Sequence, residues 1–291
     1  MSSQVLVLGA AGQLGSVLCP FLRSANINVI SHSRKGDTDV FSNLVDEIET
    51  FTLLETVMPD TIVNLAAMTN VDDCEVHPVD SWSCNVQAIM NVVSWIKLST
   101  KSCHLIQISS DGVYGGPGPH SEENIQLINV YAQHKYEAEI IAQGVNASIL
   151  RTNFFGKIEP PARPSLTDWI FEEITHRRGI TVFQDVSFSP LSIRSLSAEI
   201  LSIIRQPLYG TFNIGSRNGM SKADFAGEFA RILELPTGGI IKGKLKDVAT
   251  ITAPRPLDTR MDCSSYERVT LRVMPTLIQE LEREAILYGI R

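Results

Sequence analysis

Near its start the chain carries a glycine pattern that few folds accommodate: Gly9-Ala-Ala-Gly12-Gln-Leu-Gly15. It lies between an apolar run at residues 4–8 and a stretch of helical period through Leu14, Val17, Leu18, Phe21 and Leu22. The order is strand, tight turn, helix. Glycines at such a junction allow a sharp reversal, a close approach of backbone to a pyrophosphate, and tight packing of helix on strand. The free N–H groups at the helix N-terminus then face the phosphates. In this context the pattern points to a dinucleotide-binding unit rather than a surface turn.

The alternation recurs down the chain. Residues 28–31, 61–65, 104–109 and 148–150 read as strands, and 79–98 and 129–143 as helices. Parallel strands need crossover connections and helices supply them, so the fold class is α/β, a Rossmann-type doubly wound parallel sheet. Pro160, Pro161 and Pro164 break the alternation at 157–164. They divide the chain into an NAD(P)-binding Rossmann domain, residues 1–156, and a smaller C-terminal α+β substrate-binding lobe, residues 157–291. Within that lobe 166–177, 195–205, 221–233 and 277–287 read as helices and 181–183 and 211–214 as strands, some of which are expected to return to the main sheet.

Charge and composition narrow the partners. A net charge of -7 with no basic run excludes general affinity for nucleic acid or an anionic membrane surface, so any anionic ligand must be held locally. The N-terminal stretch lacks a basic leader, and no apolar segment is long enough to cross a bilayer, so a cytoplasmic location is expected. Five scattered cysteines, odd in number and never in a CxxC spacing, read as reduced, mostly buried side chains. Histidine and cysteine do not cluster at ligand spacing, so no metal is expected. The partner is a small molecule, and a homo-oligomer stays open.

The end of the second strand bears on the cofactor. An acidic residue about 20 positions after the glycines usually bonds the ribose 2′-hydroxyl. Here the stretch is Ser31-His-Ser-Arg-Lys35, with no carboxylate before Asp37. Ser33 and Arg34, with Lys35, stand where a 2′-phosphate would lie, which favours NADP(H) over NAD(H).

A second constellation carries chemistry. Tyr131 and Lys135 are four apart on a predicted helix and share a face, while Ser110 closes a strand whose C-terminal end faces the cofactor crevice. A carbonyl reduced by hydride must also receive a proton. A phenol, with an ordinary pKa of about 10, donates one readily but is hard to deprotonate at neutral pH, and a neighbouring ammonium eases that step. Ser110 would hydrogen-bond the substrate oxygen.

These residues fall within longer stretches that resemble the dTDP-4-dehydrorhamnose reductase group of extended short-chain dehydrogenases over nearly the whole chain. The matching stretches are GAAGQLG from Gly9, PDTIVNLAAMTNVDDCE from Pro59, SSDGVYGG from Ser109, YAQHK from Tyr131, LRTNFFG from Leu150 and APRPLDTR from Ala253. The last is the most group-specific. The resemblance implies that Gly9, Gly12, Gln13, Leu14 and Gly15 meet the cofactor pyrophosphate. Ala66 and Ala67 would line the turn beside the adenosine-proximal ribose and diphosphate, and Lys135 would also touch the nicotinamide ribose.

The implied catalytic set is Ser110, Tyr131 and Lys135; Asn153 and Arg255 join Ser110 as substrate-binding candidates, with Arg163 and Arg194 as further diphosphate candidates. Asn64 and Asn85 match common polar positions, either functional or tying loops. Three positions depart from the group's pattern: Gly112 replaces an aromatic residue, Ser110 a threonine and Asn153 a tryptophan. The implied activity is NADPH-dependent reduction of a nucleotide-linked 4-keto-6-deoxysugar. Two alternatives stay open, a nucleotide-sugar epimerase or dehydratase and a catalytically idle NADP-binding regulatory subunit.

Overall fold

The computed structural model describes residues 4–160, 162–248 and 250–289. Its first strand, β1 (Gln4–Leu8), explains the apolar run that opens the chain. Val5 and Val7 project into one apolar layer with Leu14, Leu18 and Leu22 of α1 (Gln13–Ser24), while Leu6 and Leu8 project into another on the opposite face. A strand covered on both sides has no polar face to alternate with, so it reads as continuous apolar sequence.

The chain continues through β2 (Asn28–Ser33), β3 (Val40–Phe41), α2 (Glu47–Val57), β4 (Thr61–Asn64) and α3 (Val71–Val76). Residues 79–98, read as one helix, form an uninterrupted run of α4 (Pro78–Trp82), a π-helical turn (Ser83–Gln87) and α5 (Ala88–Leu98). β5 (His104–Ile108), α6 (Val130–Ala142) and β6 (Ala147–Thr152) complete the alternation.

Beyond β6 the elements shorten to β7 (Phe154–Phe155), α7 (Leu166–Thr175), β8 (Ile180–Phe183), β9 (Ser187–Phe188) and β10 (Leu191–Ser192). They are followed by α8 (Ile193–Arg205), β11 (Gly210–Ile214), β12 (Met220–Ser221), α9 (Lys222–Ile232), β13 (Ile240–Gly243), α10 (Ser264–Thr270) and α11 (Leu277–Ala285).

Seven strands form one parallel sheet in the order β11-β6-β5-β4-β1-β2-β3. The order reverses direction between β1 and β4, which sit side by side with Leu8 opposite Asn64. Connections leave to opposite faces at that point and open a crevice at the C-terminal ends of the strands, where ligands of open α/β sheets bind. One face is covered by α1 and α8 through Leu18, Leu22, Leu196 and Ile200, the other by α2, α5 and α6 through Leu54, Val92, Trp95 and Ala138. Residues after 157 therefore contribute to both parts: β11 extends the sheet beside β6, with Phe212 opposite Leu150, and α8 packs on α1.

A third core unites the rest of the second lobe: Ile170 and Ile174 of α7, Phe225 and Phe229 of α9, and Leu277 and Leu281 of α11. The segment 253–260 ties the two parts together. The Asn129 amide donates to the Pro254 carbonyl at 2.8 Å, the Thr259 hydroxyl to the Asp111 carboxylate at 2.7 Å, and the Gly118 N–H to Asp258 at 2.9 Å. Among the described residues no helix is long and apolar enough to cross a membrane.

Candidate active site

A cleft of about 960 Å³ lies over the crevice between β1 and β4 and is closed on its far side by the second lobe. Its floor is the glycine turn. Gly9 has φ +79°, and a Cβ there would lie 2.7 Å from the Ala66 nitrogen; a Cβ on Gly15 would lie 2.4 Å from the Ala10 carbonyl oxygen. Both positions thus exclude any side chain, the first by left-handed backbone and contact with the β4 turn, the second by contact between helix and turn. Gly12 precedes α1 with no side-chain cap and no acidic residue in the first turn, leaving the helix N-terminus free for an anion.

Gly9, Gly12, Gln13, Leu14, Gly15 and Ala67 all line the cleft. The Gln13 amide also donates to the carbonyls of Arg163 (3.0 Å) and Pro164 (2.8 Å), latching the loop after β7 over the turn. Ala66 does not line the cleft; its backbone is the surface against which Gly9 packs.

Ser33 and Arg34 sit outside the cleft lining. The Ser33 hydroxyl is engaged by Thr38 at 2.9 Å and the Lys35 carbonyl at 2.8 Å. Arg34 is exposed beside it. The nearby Asp39 receives the Ser31 N–H and hydroxyl and Arg23 on a single oxygen, Oδ2, and these partners hold its carboxyl below the usual range. Asn64 and Asn85 tie loops: Asn64 donates to Gln107 at 2.8 Å, and Asn85 clasps both backbone groups of Met68.

At the other end of the cleft Ser110, Tyr131 and Lys135 come together. Ser110 follows β5 and accepts from the Gly112 N–H at 3.0 Å. Tyr131 and Lys135 are one turn apart on α6, whose start is fixed by Asn129 accepting from Ala132. The Lys135 ammonium donates to the Ile108 carbonyl at 2.7 Å, anchoring the helix to the end of β5. Burial pushes the Tyr131 phenol up to about 12, with the Ser110 hydroxyl offsetting part of the rise. Burial pulls Lys135 down to about 8, against the favourable charge of Glu139 one turn along. Gly112 bears on both catalytic candidates, since a Cβ there would lie 3.1 Å from the Ser110 oxygen and 3.4 Å from the Tyr131 ring.

The structure adds residues that the motif reading passed over. Asp111 is buried and collects donors from both parts of the chain: Asn153 at 2.8 Å, Thr259 at 2.7 Å and Ser110 at 3.4 Å. Burial pushes its carboxyl above the usual range despite these partners. Asn153 therefore meets Asp111 in addition to lining the cleft. The signal for Asp111 and Thr259 lay in plain view within SSDG and APRPLDTR, but only the fold brings the two stretches into contact. Lys222, at the start of α9, also lines the cleft and carries no sequence signal of its own.

The three arginine candidates separate. Arg163 and Arg255 line the cleft, and Arg255 is paired with Asp72 at 2.7 Å. Arg194 lies elsewhere, paired with the buried Glu284 at 2.6 Å.

A family model described as the RmlD substrate binding domain matches residues 3–285. The chain belongs to that family. Among curated proteins it is 26% identical over 295 residues to a probable low-salt glycan biosynthesis reductase of Haloferax volcanii, covering 94% of this chain and 95% of the relative. It is 25% identical over 301 residues to the methionine adenosyltransferase 2 subunit beta of Danio rerio, covering 97% and 90%. Its fold matches that of the dTDP-4-dehydrorhamnose reductase of Bacillus anthracis in complex with NADP, with a TM-score of 0.89 at 23% identity over 99% of this chain and all of that one. For this RmlD family member, the late segment 253–260 is the piece that closes the cleft from above, through Thr259 on Asp111 and Arg255 on Asp72.

Proposed function

We propose that the protein is an NADPH-dependent reductase of a nucleotide-linked 4-keto-6-deoxysugar, a reading supported by the fold it shares with a dTDP-4-dehydrorhamnose reductase in complex with NADP. The observation that carries this reading is the convergence of Ser110, Tyr131 and Lys135 at one end of a cleft whose other end is the glycine turn. Residues 1–156 would hold the cofactor and residues 157–291 the sugar nucleotide, with α8 and β11 lent back to the sheet.

The residues fit the dinucleotide. The space over Gly9 and Gly12 is kept free of side chains, and the uncapped start of α1 supplies N–H groups to a pyrophosphate. Arg34 is the guanidinium for the 2′-phosphate, and Lys135 would hydrogen-bond the nicotinamide ribose. When bound, NADPH supplies a hydride. The Tyr131 hydroxyl holds the proton that the carbonyl oxygen takes up, and Ser110 orients that oxygen by donating to it. Lys135 stabilises the phenolate left behind. Asp111 keeps Ser110 and Asn153 in register with Thr259 across the cleft.

The test is NADPH oxidation by the purified protein with a panel of nucleotide-linked 4-keto-6-deoxysugars, repeated with NADH and with Arg34→Ala. Turnover on at least one member is expected, with NADPH preferred and with Arg34→Ala raising KM for NADPH about tenfold while leaving NADH unchanged. A second reading, a regulatory subunit, draws on the similarity to methionine adenosyltransferase 2 subunit beta. Tight NADPH binding without turnover on any panel member would favour it, and retention of a tightly bound cofactor with no net NADPH use would favour an epimerase.

The depressed Lys135 sets a pH dependence. The profile of kcat/KM for NADPH, which reports the free enzyme, is expected to be level at low pH and to fall as pH rises through about 8, where Lys135 loses its proton. A profile level to about pH 10, the ordinary lysine range, would count against a role for its charge.

A further inference from the structure

Lys222 is the first residue of α9, behind the cap formed by the Ser221 hydroxyl and the Asp224 N–H. Its side chain lies in the wall of the cleft, with the ammonium 5.8 Å from the centre of the Phe188 ring. The arginine that acts on it, Arg255, is paired with Asp72 at 2.7 Å. Lys222 is not. Among the described residues its ammonium has no carboxylate at ion-pair distance and no hydrogen-bond acceptor, and the one carboxylate acting on it from further off, Asp111, is already engaged by Asn153 and Thr259.

Three effects oppose a cation at this place. Burial in the cleft wall strips part of its hydration, the Arg255 guanidinium repels it, and it stands at the positive end of a helix of 11 residues. Burial first, and Arg255 with it, hold its pKa below the lysine range against the favourable charge of Asp111. A neutral side chain of the same length would avoid all three. An unneutralised cation facing a ligand cavity is explained if the ligand brings the counter-charge. Phosphates could come from two sources, the cofactor or the substrate. The glycine turn and the start of α1 lie on the Rossmann side, and Lys222 projects from the second lobe beside Arg255.

Resting on the sugar-nucleotide reading above, we propose that Lys222, with Arg255 beside it, binds the diphosphate of the substrate and so fixes the sugar against Ser110 and Tyr131. The ammonium reads phosphate and not base, so its contribution is common to nucleotides of different base.

The test is calorimetric titration of the NADPH-loaded protein with dTDP, UDP and GDP and with the matching nucleosides, for the unaltered protein, Lys222→Met and Lys222→Arg. Lys222→Met is expected to weaken the nucleoside diphosphates that bind at least about tenfold. Nucleosides and NADPH should stay within about twofold, and Lys222→Arg within about threefold of the unaltered protein. Unchanged diphosphate affinity in Lys222→Met overturns the assignment while leaving the reductase reading intact. An equal loss for nucleosides, or for NADPH, also overturns it, in favour of a structural or a cofactor role. Failure of the unaltered protein to bind any nucleoside diphosphate while binding NADPH removes the sugar-nucleotide reading itself, and this assignment with it.

Discussion

Replacing Tyr131 with phenylalanine is expected to lower kcat for keto-sugar reduction about 10³-fold while leaving NADPH affinity within about threefold. The substitution removes one oxygen. The ring that faces Gly112 and the packing of α6 against the end of β5 are kept, because the anchor there is the Lys135 ammonium on the Ile108 carbonyl. What is lost is the proton. Burial keeps the phenol neutral far above physiological pH, so the donor enters the reductive step loaded, and the phenolate left by one turnover regains its proton from solvent before the next. Steady-state NADPH oxidation, beside a fluorescence titration of bound NADPH, measures both quantities. A loss below about tenfold would mean that another group delivers the proton. A candidate is the Asp111 carboxyl, which burial also drives toward its protonated form and which lies beside Ser110. Loss of NADPH affinity in parallel with kcat would instead mark Tyr131 as a binding residue.

Much of this arrangement is written locally. The apolar run of β1, the glycines and the helical period of α1 are consecutive, and each reports the same junction. Tyr131 and Lys135 are separated by one helical turn, so their convergence needs only the helix. The family resemblance adds the late Arg-Pro segment. Local patterns fade where packing is not local. α2 escapes a periodicity reading because its apolar residues do not keep to one side: Leu53, Leu54 and Val57 are buried while Ile48 is 78% exposed. The strands β7, β9, β10 and β12 are two residues each, too short for any alternation to show. That β11 pairs with β6 is a contact across some sixty residues, set by the face that α8 covers rather than by either strand's own sequence.

The site divides in the same way. Ser110, Tyr131 and the glycine turn follow from strand ends and helix spacing. Asp111 with Thr259, and Lys222 with its missing partner, follow only from the way the second lobe closes on the first. Polar residues buried where a helix packs on the sheet are the least legible of all. In sequence, Glu139 and Arg151 look like surface charges; in the fold their side chains are 0% and 4% exposed and joined at 2.6 Å.

That buried pair is the basis of the largest expected effect on stability. Glu139→Ala is expected to destabilise the protein by about 4 kcal/mol, in urea unfolding, and to lower Tm by roughly 10 °C. Glu139 accepts from Arg151 through both Nε and Nη2 and from the Ser109 hydroxyl, and Arg151 reaches on to the Tyr114 hydroxyl, which donates to Asn213 of β11. Truncating the acid leaves a guanidinium inside the protein without its counter-charge, and that penalty, rather than the net worth of the pair, sets the size of the effect. Replacing both partners together, as Glu139→Leu with Arg151→Met, should therefore recover most of the loss, which a simple sum of two deletions would not. A single-variant loss below about 1 kcal/mol would show that water reaches Arg151 and that the network is not closed. The same pair also bears on the chemistry. Glu139 lies one turn beyond Lys135 on α6, and its charge favours the ammonium that burial opposes; its other partner, Ser109, precedes Ser110. The double variant should therefore fold yet show the alkaline fall in kcat/KM for NADPH at lower pH than the unaltered protein, because an apolar residue at 139 no longer supports the charge on Lys135.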